Sequence, residues 1–305
     1  MNLPFVAQRL NQDTSYVGRF APSPSGPLHL GSLVAALGSY IRARQMDGKW
    51  LLRIEDIDPP RALVGADDLI KESLFRHGLL WDDEVAYQHD SHERYEQALN
   101  WLQENGHSYC CQCNRKQRLA NPKGQSCPCA QLALAKDECA TVLRNTLGAQ
   151  HIQDLALGAV SFAKGACDDF ILRRKDGLYA YQLAVVVDDI YAGVTEVVRG
   201  ADILPSTAYQ LALYQLFNQS APAYLHLPLV MGDNGQKLSK QNHAPRLNDA
   251  VANSNLCRAL GALGLPVPRA LNNAAVNDIL EFALSNWHIA FIANNASAFD
   301  NRIDA

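Results

Sequence analysis

The sequence predicts an α/β fold: a Rossmann-like doubly wound parallel sheet with a cysteine-rich insertion and a short C-terminal helical region. Three observations point there. Tyr16 to Ile54 runs through strand-like, helix-like and strand-like patterns in one unit. Further strand-like runs, Val194 to Val198 and Tyr224 to Val230, flank a helical run from Ser206 to Phe217. Strand ends in both halves meet charged clusters, as expected where the carboxyl ends of parallel strands face a ligand crevice.

The opening unit is justified residue by residue. Tyr16 to Phe20 is a short strand. Ala21 to Pro27, rich in Pro, Ser and Gly, cannot continue it. Leu30, Leu33, Val34, Leu37, Tyr40 and Ile41 then repeat at i, i+3, i+4 and i+7, which makes one helical face apolar. Trp50 to Ile54 is a second strand, and it stops at Glu55, Asp56 and Asp58. His29, Gly31 and Ser32 fall at the helix start, where unpaired N–H groups and the helix dipole favour an anion. His29 adds a donor, and Gly31, without a Cβ, lets a flat ring approach the backbone. The competing reading is a plain helix start followed by solvated acids.

Val64 to Leu79 and Ser91 to Glu104 read as helices. The first has Leu69, Ile70 and Leu74 inward, and the second is striped by Tyr95, Leu99 and Leu102 and closed by Asn105-Gly106. Tyr109 to Cys129 breaks this rhythm. Cys111-x-Cys113 and Cys127-x-Cys129 are separated by Arg115, Lys116, Arg118 and Lys123. Four thiolates suit one tetrahedral structural zinc ion, although fingers more often use CxxC than CxC. Cys110 competes as a ligand, while Cys139, Cys167 and Cys257 read as isolated small buried residues. Eight cysteines in a chain without a secretory signal suggest ligands or free thiols rather than disulfides.

Asp169 to Arg174 reads as a strand, Lys175-Asp176-Gly177 as a turn and Tyr179 to Val187 as a returning strand, together a β-hairpin. Val194 to Val198 ends in Arg199-Gly200-Ala201-Asp202. Downstream, Lys237-Leu238-Ser239-Lys240 follows the turn Asp233-Asn234-Gly235. Two lysines three apart suit a polyphosphate whose charge must be stabilised as it leaves. Val251 to Leu263 and Val276 to Trp287 are helical. The implied divisions are 1–105, the first half of the catalytic domain; 106–165, the zinc-binding insertion; 166–245, the second half with the KLSK loop; and 246–305, the helical region.

With 48% hydrophobic residues in 305, a sizeable core is possible. The net charge of −4 excludes a broad basic field but leaves room for a local basic patch. No apolar run approaches the roughly 20 residues of a membrane span, so a soluble cytoplasmic protein is expected.

RFAPSPSGPLHLGS, RIEDIDPPR and KLSKQ in this order resemble the class I aminoacyl-tRNA synthetases, in particular the glutamyl and glutaminyl branch and its short glutamyl-Q paralogues. The resemblance covers Tyr16 to Pro245. It implies that glutamate attacks the α-phosphate of ATP, giving glutamyl-adenylate and pyrophosphate, with Mg2+ accompanying ATP. Arg19, Ala21, Ser23, Glu55, Tyr181 and Arg199 would bind glutamate. His29, Gly31 and Lys240 would bind ATP. His29, Ser32, Lys237 and Lys240 would serve the chemistry. Within the resemblance the fourth zinc ligand stays open between Cys127, Gln125 and Cys110.

The resemblance further implies a monomer that activates glutamate without tRNA. It would pass the glutamate to the queuosine base at the wobble position of tRNA(Asp), holding the anticodon stem-loop against the catalytic domain. Residues 246–305 are too few for the anticodon-reading helical bundle of a full glutamyl-tRNA synthetase. Three alternatives are a truncated synthetase charging the tRNA 3′ end, a nucleotidyltransferase making a small-molecule adenylate, and a non-catalytic zinc-stabilised RNA binder.

Overall fold

A computed structural model describes residues 3–5, 15–120, 127–132, 134, 139–147, 150–162, 168–232, 238 and 244–294. Strand β1 (Val17–Phe20), helix α1 (Leu30–Gln45) and strand β2 (Lys49–Ile54) form the expected βαβ unit, with β1 and β2 parallel and Arg19 opposite Leu51. Helix α2 (Ala66–Arg76) leads to β3 (Ala86–Tyr87), which extends this sheet in parallel beyond β2. Helix α3 (His92–Glu104) follows.

The second half of the sheet joins at β1. There the Val17 carbonyl accepts from Thr195 N at 2.9 Å, just ahead of strand β9 (Glu196–Gly200). Strand β10 (Ala223–Leu227) runs parallel to β9, and β6 (Gln150–Asp154) lies parallel beyond it. Strand β7 (Gly158–Phe162) closes the edge antiparallel to β6. The chain thus winds outward from β1 through β2 to β3 and, on the other side, from β9 to β10, with the earlier β6 and β7 on the outer edge; the carboxyl ends of β1 and β9 flank the topological switch point where α/β sheets take ligands.

Strands β4 (Ser108–Cys111), β5 (Ala140–Leu143) and β8 (Phe170–Arg173) make a separate antiparallel sheet. Helix α4 (Arg115–Leu119) opens with a capping box in which Asn114 and Gln117 satisfy each other's backbone donors.

The expected β-hairpin after Gly177 does not form. Tyr179 makes one antiparallel bridge to Arg173, and the chain then turns into helix α5 (Tyr181–Ala192). Leu183 through Ile190 are all buried there. A helix covered on every side shows no amphipathic period, so its apolar run looks like an interior strand. Helix α6 (Thr207–Leu216) packs beside it in a core with Tyr95, Leu183, Val186 and Phe217.

Helices α7 (Ala252–Ala262) and α8 (Val276–Asn286), followed by α9 (Ala290–Asn294), share the main core with α1. Leu37, Ile41 and Trp50 pack in one cluster with Leu256, Leu260, Ile279 and Trp287. Gly38 makes the approach of α1 to the sheet possible, because a Cβ there would sit 2.7 Å from Leu227 Cδ1. Among the described residues no helix is long and apolar enough to cross a membrane.

Candidate active site

The ends of β1, β2 and α5 converge on a buried cluster of two arginines and three carboxylates. Arg19 and Arg53 are each 4% exposed, as are Asp188 and Asp189. Asp189 accepts from Arg19 Nε and Nη2, each at 3.2 Å, and from Arg53 Nη1 at 2.7 Å. Asp188 accepts from the Tyr95 hydroxyl at 2.7 Å and from Gln88 Nε2 at 2.9 Å. Arg53 Nη2 reaches Glu55 Oε1 at 3.4 Å.

These neighbours set the charge states. Burial alone would push every carboxyl up. For Asp189 the guanidiniums of Arg19 and Arg53 outweigh burial and hold it below the usual carboxylate range. Asp188 stays above that range because burial outweighs Arg53. Glu55 is pushed up to about 7 by burial, which Arg53 and Arg19 only partly oppose.

A cavity of about 570 Å3 opens over Glu55, with Ser23, Gln88, Asp58, Arg174 and Tyr181 also in its walls. The loop after β1 is fastened to the end of β2, since Glu55 N donates to the Pro22 carbonyl at 3.0 Å. That bond sets Ser23 beside Glu55, and Ala21 continues directly from Phe20 at the strand end. Tyr181 occupies the first position of α5. Burial raises its phenol, and so does the charge of Glu55, while Arg199 and Arg19 pull the other way. Of the expected glutamate-binding residues, Ser23, Glu55 and Tyr181 line this cavity, and the charges of Arg19 and Arg199 act on Tyr181 from outside its walls. Arg199, on β9, donates from Nη1 to Gln210 Oε1 at 2.8 Å and from Nη2 to Thr207 Oγ1 at 2.7 Å.

The HLGS motif is the cap of α1. His29 is extended (φ −121°, ψ 173°) and its Nδ1 accepts from Ser32 N at 3.2 Å. The imidazole thus satisfies one helix-start donor, and His29 also bridges to Arg246. Leu238 of the KLSK segment donates its N–H to the Val230 carbonyl at 2.8 Å. A Cβ on Gly31 would lie 3.4 Å from the Leu238 carbonyl oxygen, so the two motifs meet at this glycine. Lys237, Ser239 and Lys240 lie outside the described residues.

Sequence reasoning missed Arg53, Asp188 and Asp189. The available signal was an acid pair directly after an apolar run, Val185-Val186-Val187-Asp188-Asp189, which a buried element tolerates only with cationic partners.

The four expected metal ligands are brought together. The sulfurs of Cys111, Cys113, Cys127 and Cys129 all lie within 4.8 Å of one another. Cys111–Cys127 is 3.8 Å, Cys113–Cys127 3.5 Å and Cys113–Cys129 3.6 Å. Sulfurs bound at about 2.3 Å around a tetrahedral ion stand roughly 3.8 Å apart, so the set fits such an ion. Burial and the neighbouring thiols push Cys113 up to about 12, whereas at Cys129 bonds from the Gln112 backbone and the neighbouring thiols outweigh burial and hold the thiol below its ordinary value.

Three expectations about the cysteines are corrected. Cys110 is not a competing ligand, Cys139 is not an isolated thiol, and the eight are not all ligands or free thiols, because Cys110 and Cys139 form a disulfide. Successive residues of a strand face opposite sides, so Cys111 on β4 meets the cluster while Cys110 meets Cys139. Gln125 and Cys167 lie outside the described residues, and Cys257 is a buried free thiol as expected.

Residues 16–267 match the family described as tRNA synthetases class I (E and Q), catalytic domain. The chain belongs to this family. Its chemistry is that of an aminoacyl-tRNA synthetase-like ligase. A protein of Serratia proteamaculans named glutamyl-Q tRNA(Asp) synthetase is 48% identical over 280 residues, covering 91% of this chain and 92% of that one. One of the same name from Escherichia coli K12 is 44% identical over 302 residues, covering 98% of both.

Among solved structures, a glutamate tRNA ligase of Elizabethkingia meningosepticum, determined with its amino acid, superimposes with a TM-score of 0.73 at 21% identity. The match covers 91% of this chain but 66% of the ligase, and it establishes the shared synthetase fold.

Proposed function

We propose that the protein activates L-glutamate with ATP in the absence of tRNA and transfers it to the queuosine base at the wobble position of tRNA(Asp). The observation that carries this reading is the 44% identity, over 98% of both chains, to a protein named glutamyl-Q tRNA(Asp) synthetase. In it, Arg19 offers a guanidinium to the side-chain carboxylate of glutamate, with Asp189 fixing its Nε edge. Glu55 holds the α-ammonium, and Ala21, Ser23, Tyr181 and Arg199 complete the pocket.

His29, Gly31 and Ser32 at the start of α1 receive the ATP phosphates, with Mg2+ carried on the nucleotide. Lys237 and Lys240 stabilise pyrophosphate as it departs. Zinc held by Cys111, Cys113, Cys127 and Cys129 supplies rigidity, not chemistry, to the insertion. The tRNA(Asp) anticodon stem-loop docks at the mouth of the cavity, and the enzyme works as a cytoplasmic monomer.

The deciding experiment is ATP–pyrophosphate exchange with glutamate, with and without tRNA. Exchange without tRNA is expected, followed by labelled glutamate in an internal, queuosine-dependent linkage on tRNA(Asp). Exchange only with tRNA, and label at the 3′ end, would replace this reading with that of a conventional glutamyl-tRNA synthetase. Folded, metal-loaded protein that shows no exchange at all would point to a non-catalytic RNA binder.

A further inference from the structure

Arg199 belongs to a chain of buried polar groups that crosses three neighbouring parallel strands. On β10, His226 is fully buried, and its Nε2 lies 3.2 Å from Arg199 Nε on β9. On β6, Asp154 is also buried, and its Oδ2 lies 2.6 Å from His226 Nδ1. A guanidinium can only donate, so His226 Nε2 must be the acceptor and its proton must sit on Nδ1, pointing at the carboxylate. Burial favours the neutral ring that this arrangement needs.

Asp154 is itself anchored. Its Oδ1 accepts from Ala156 N at 3.0 Å and from Leu157 N at 2.9 Å. The Arg199 guanidinium is then held at Nε by His226, at Nη1 by Gln210, at Nη2 by Thr207 and across its face by the Tyr224 ring, 5.1 Å away.

We infer that Asp154 and His226 are positioning residues that fix the orientation of Arg199 for glutamate binding. The inference rests on the assignment of Arg199 to the glutamate pocket. Asp154 selects the His226 tautomer, and that tautomer supplies the acceptor that aims the guanidinium. Neither residue touches the substrate.

Asp154→Asn is the informative change. Its Oδ1 can still cap Ala156 and Leu157, but its NH2 group presents a donor to His226 Nδ1 and to the His226 backbone N–H that Oδ2 accepts at 3.3 Å. The imidazole must then carry its proton on Nε2, which faces an Arg199 N–H and repels it. The expected result in ATP–pyrophosphate exchange is a rise in KM for glutamate of about tenfold or more, the scale on which a misaimed ligand acts. The KM for ATP should stay near wild type.

His226→Gln and His226→Leu form the second arm. Glutamine can accept from Arg199 and should restore much of the glutamate affinity that leucine loses, although neither keeps the imidazole. This contrast decides the matter even if Asp154→Asn fails to fold.

Glutamate KM unchanged in Asp154→Asn, or equal in the Gln and Leu variants, would overturn the inference. Arg199→Ala separates the two levels. If it raises glutamate KM while the other variants do not, only the positioning role fails. If it leaves glutamate KM unchanged, Arg199 is no ligand and the assignment beneath the inference fails.

Discussion

At Glu55 burial and binding make opposite demands. The folded protein holds this carboxyl up at about 7, above its ordinary value of 4.5. Its contribution to stability is therefore complete below the unfolded value and is lost as pH rises through about 7. The ammonium that Glu55 is proposed to hold reverses the demand, because it needs the carboxylate. Glutamate affinity should accordingly fall as pH drops below about 7, by up to about tenfold per pH unit. Calorimetric titration from pH 5.5 to 8 should show this for the wild type and a flatter dependence for Glu55→Gln. The stability of the wild type relative to Glu55→Gln should fall over the same rise in pH.

Arg19 tests the other end of the proposed glutamate pocket. Arg19→Ala should abolish glutamate-dependent exchange while ATP binding, measured by fluorescence titration, persists. The same change leaves Asp189 with Arg53 as its guanidinium partner and should lower unfolding stability by about 2–4 kcal/mol in urea. Arg19 and Glu55 were legible because both stand at strand ends in a motif. Their partners Arg53, Asp188 and Asp189 were not, because their role depends on β2 and α5 meeting in space.

Elements were legible where one face meets solvent and the other the core. Helix α3 declared itself by spacing, with Tyr95, Leu99 and Leu102 buried and Glu93, Asn100 and Gln103 exposed. Helix α5, buried all round, presented the run Val185-Val186-Val187 that β-branched stiffness usually gives to strands, and only its tertiary surroundings make it helical.

Close packing between elements gives a direct test. Gly38→Ala would bring a methyl within 2.7 Å of Leu227 Cδ1, so the Leu227 side chain must turn aside within a packed core. The cost should be about 1–3 kcal/mol in urea unfolding, with no change in the far-ultraviolet spectrum.

In the insertion, the alternation of β4 separates two cysteine roles that spacing alone left open. If the four-cysteine cluster holds the proposed zinc, Cys127→Ser should lose it in metal analysis and lower the melting temperature. Cys110→Ser should keep the metal, because its sulfur faces Cys139.

On the scale of the whole molecule, the helices after the KLSK segment are part of the main core. Trp287 is fully buried, donates Nε1–H to the Leu263 carbonyl at 3.2 Å, and shares a cluster with Leu37 and Ile41 of α1. Gln45, at the end of α1, donates to the Trp287 carbonyl at 2.8 Å. Trp287→Ala should therefore cost about 3–5 kcal/mol. Hydrogen exchange should show α1 losing protection together with α7 and α8 rather than α8 fraying alone.

This shared core also has a consequence in time. A ribosome releases Leu37 and Ile41 long before Leu256, Ile279 and Trp287, so the apolar face of α1 emerges without the side chains that will cover it. A unit synthesised ahead of α7 and α8 is thus sealed only after them. A nascent chain stalled before Trp287 should still be open to proteolysis within α1, and one extended past it should resist.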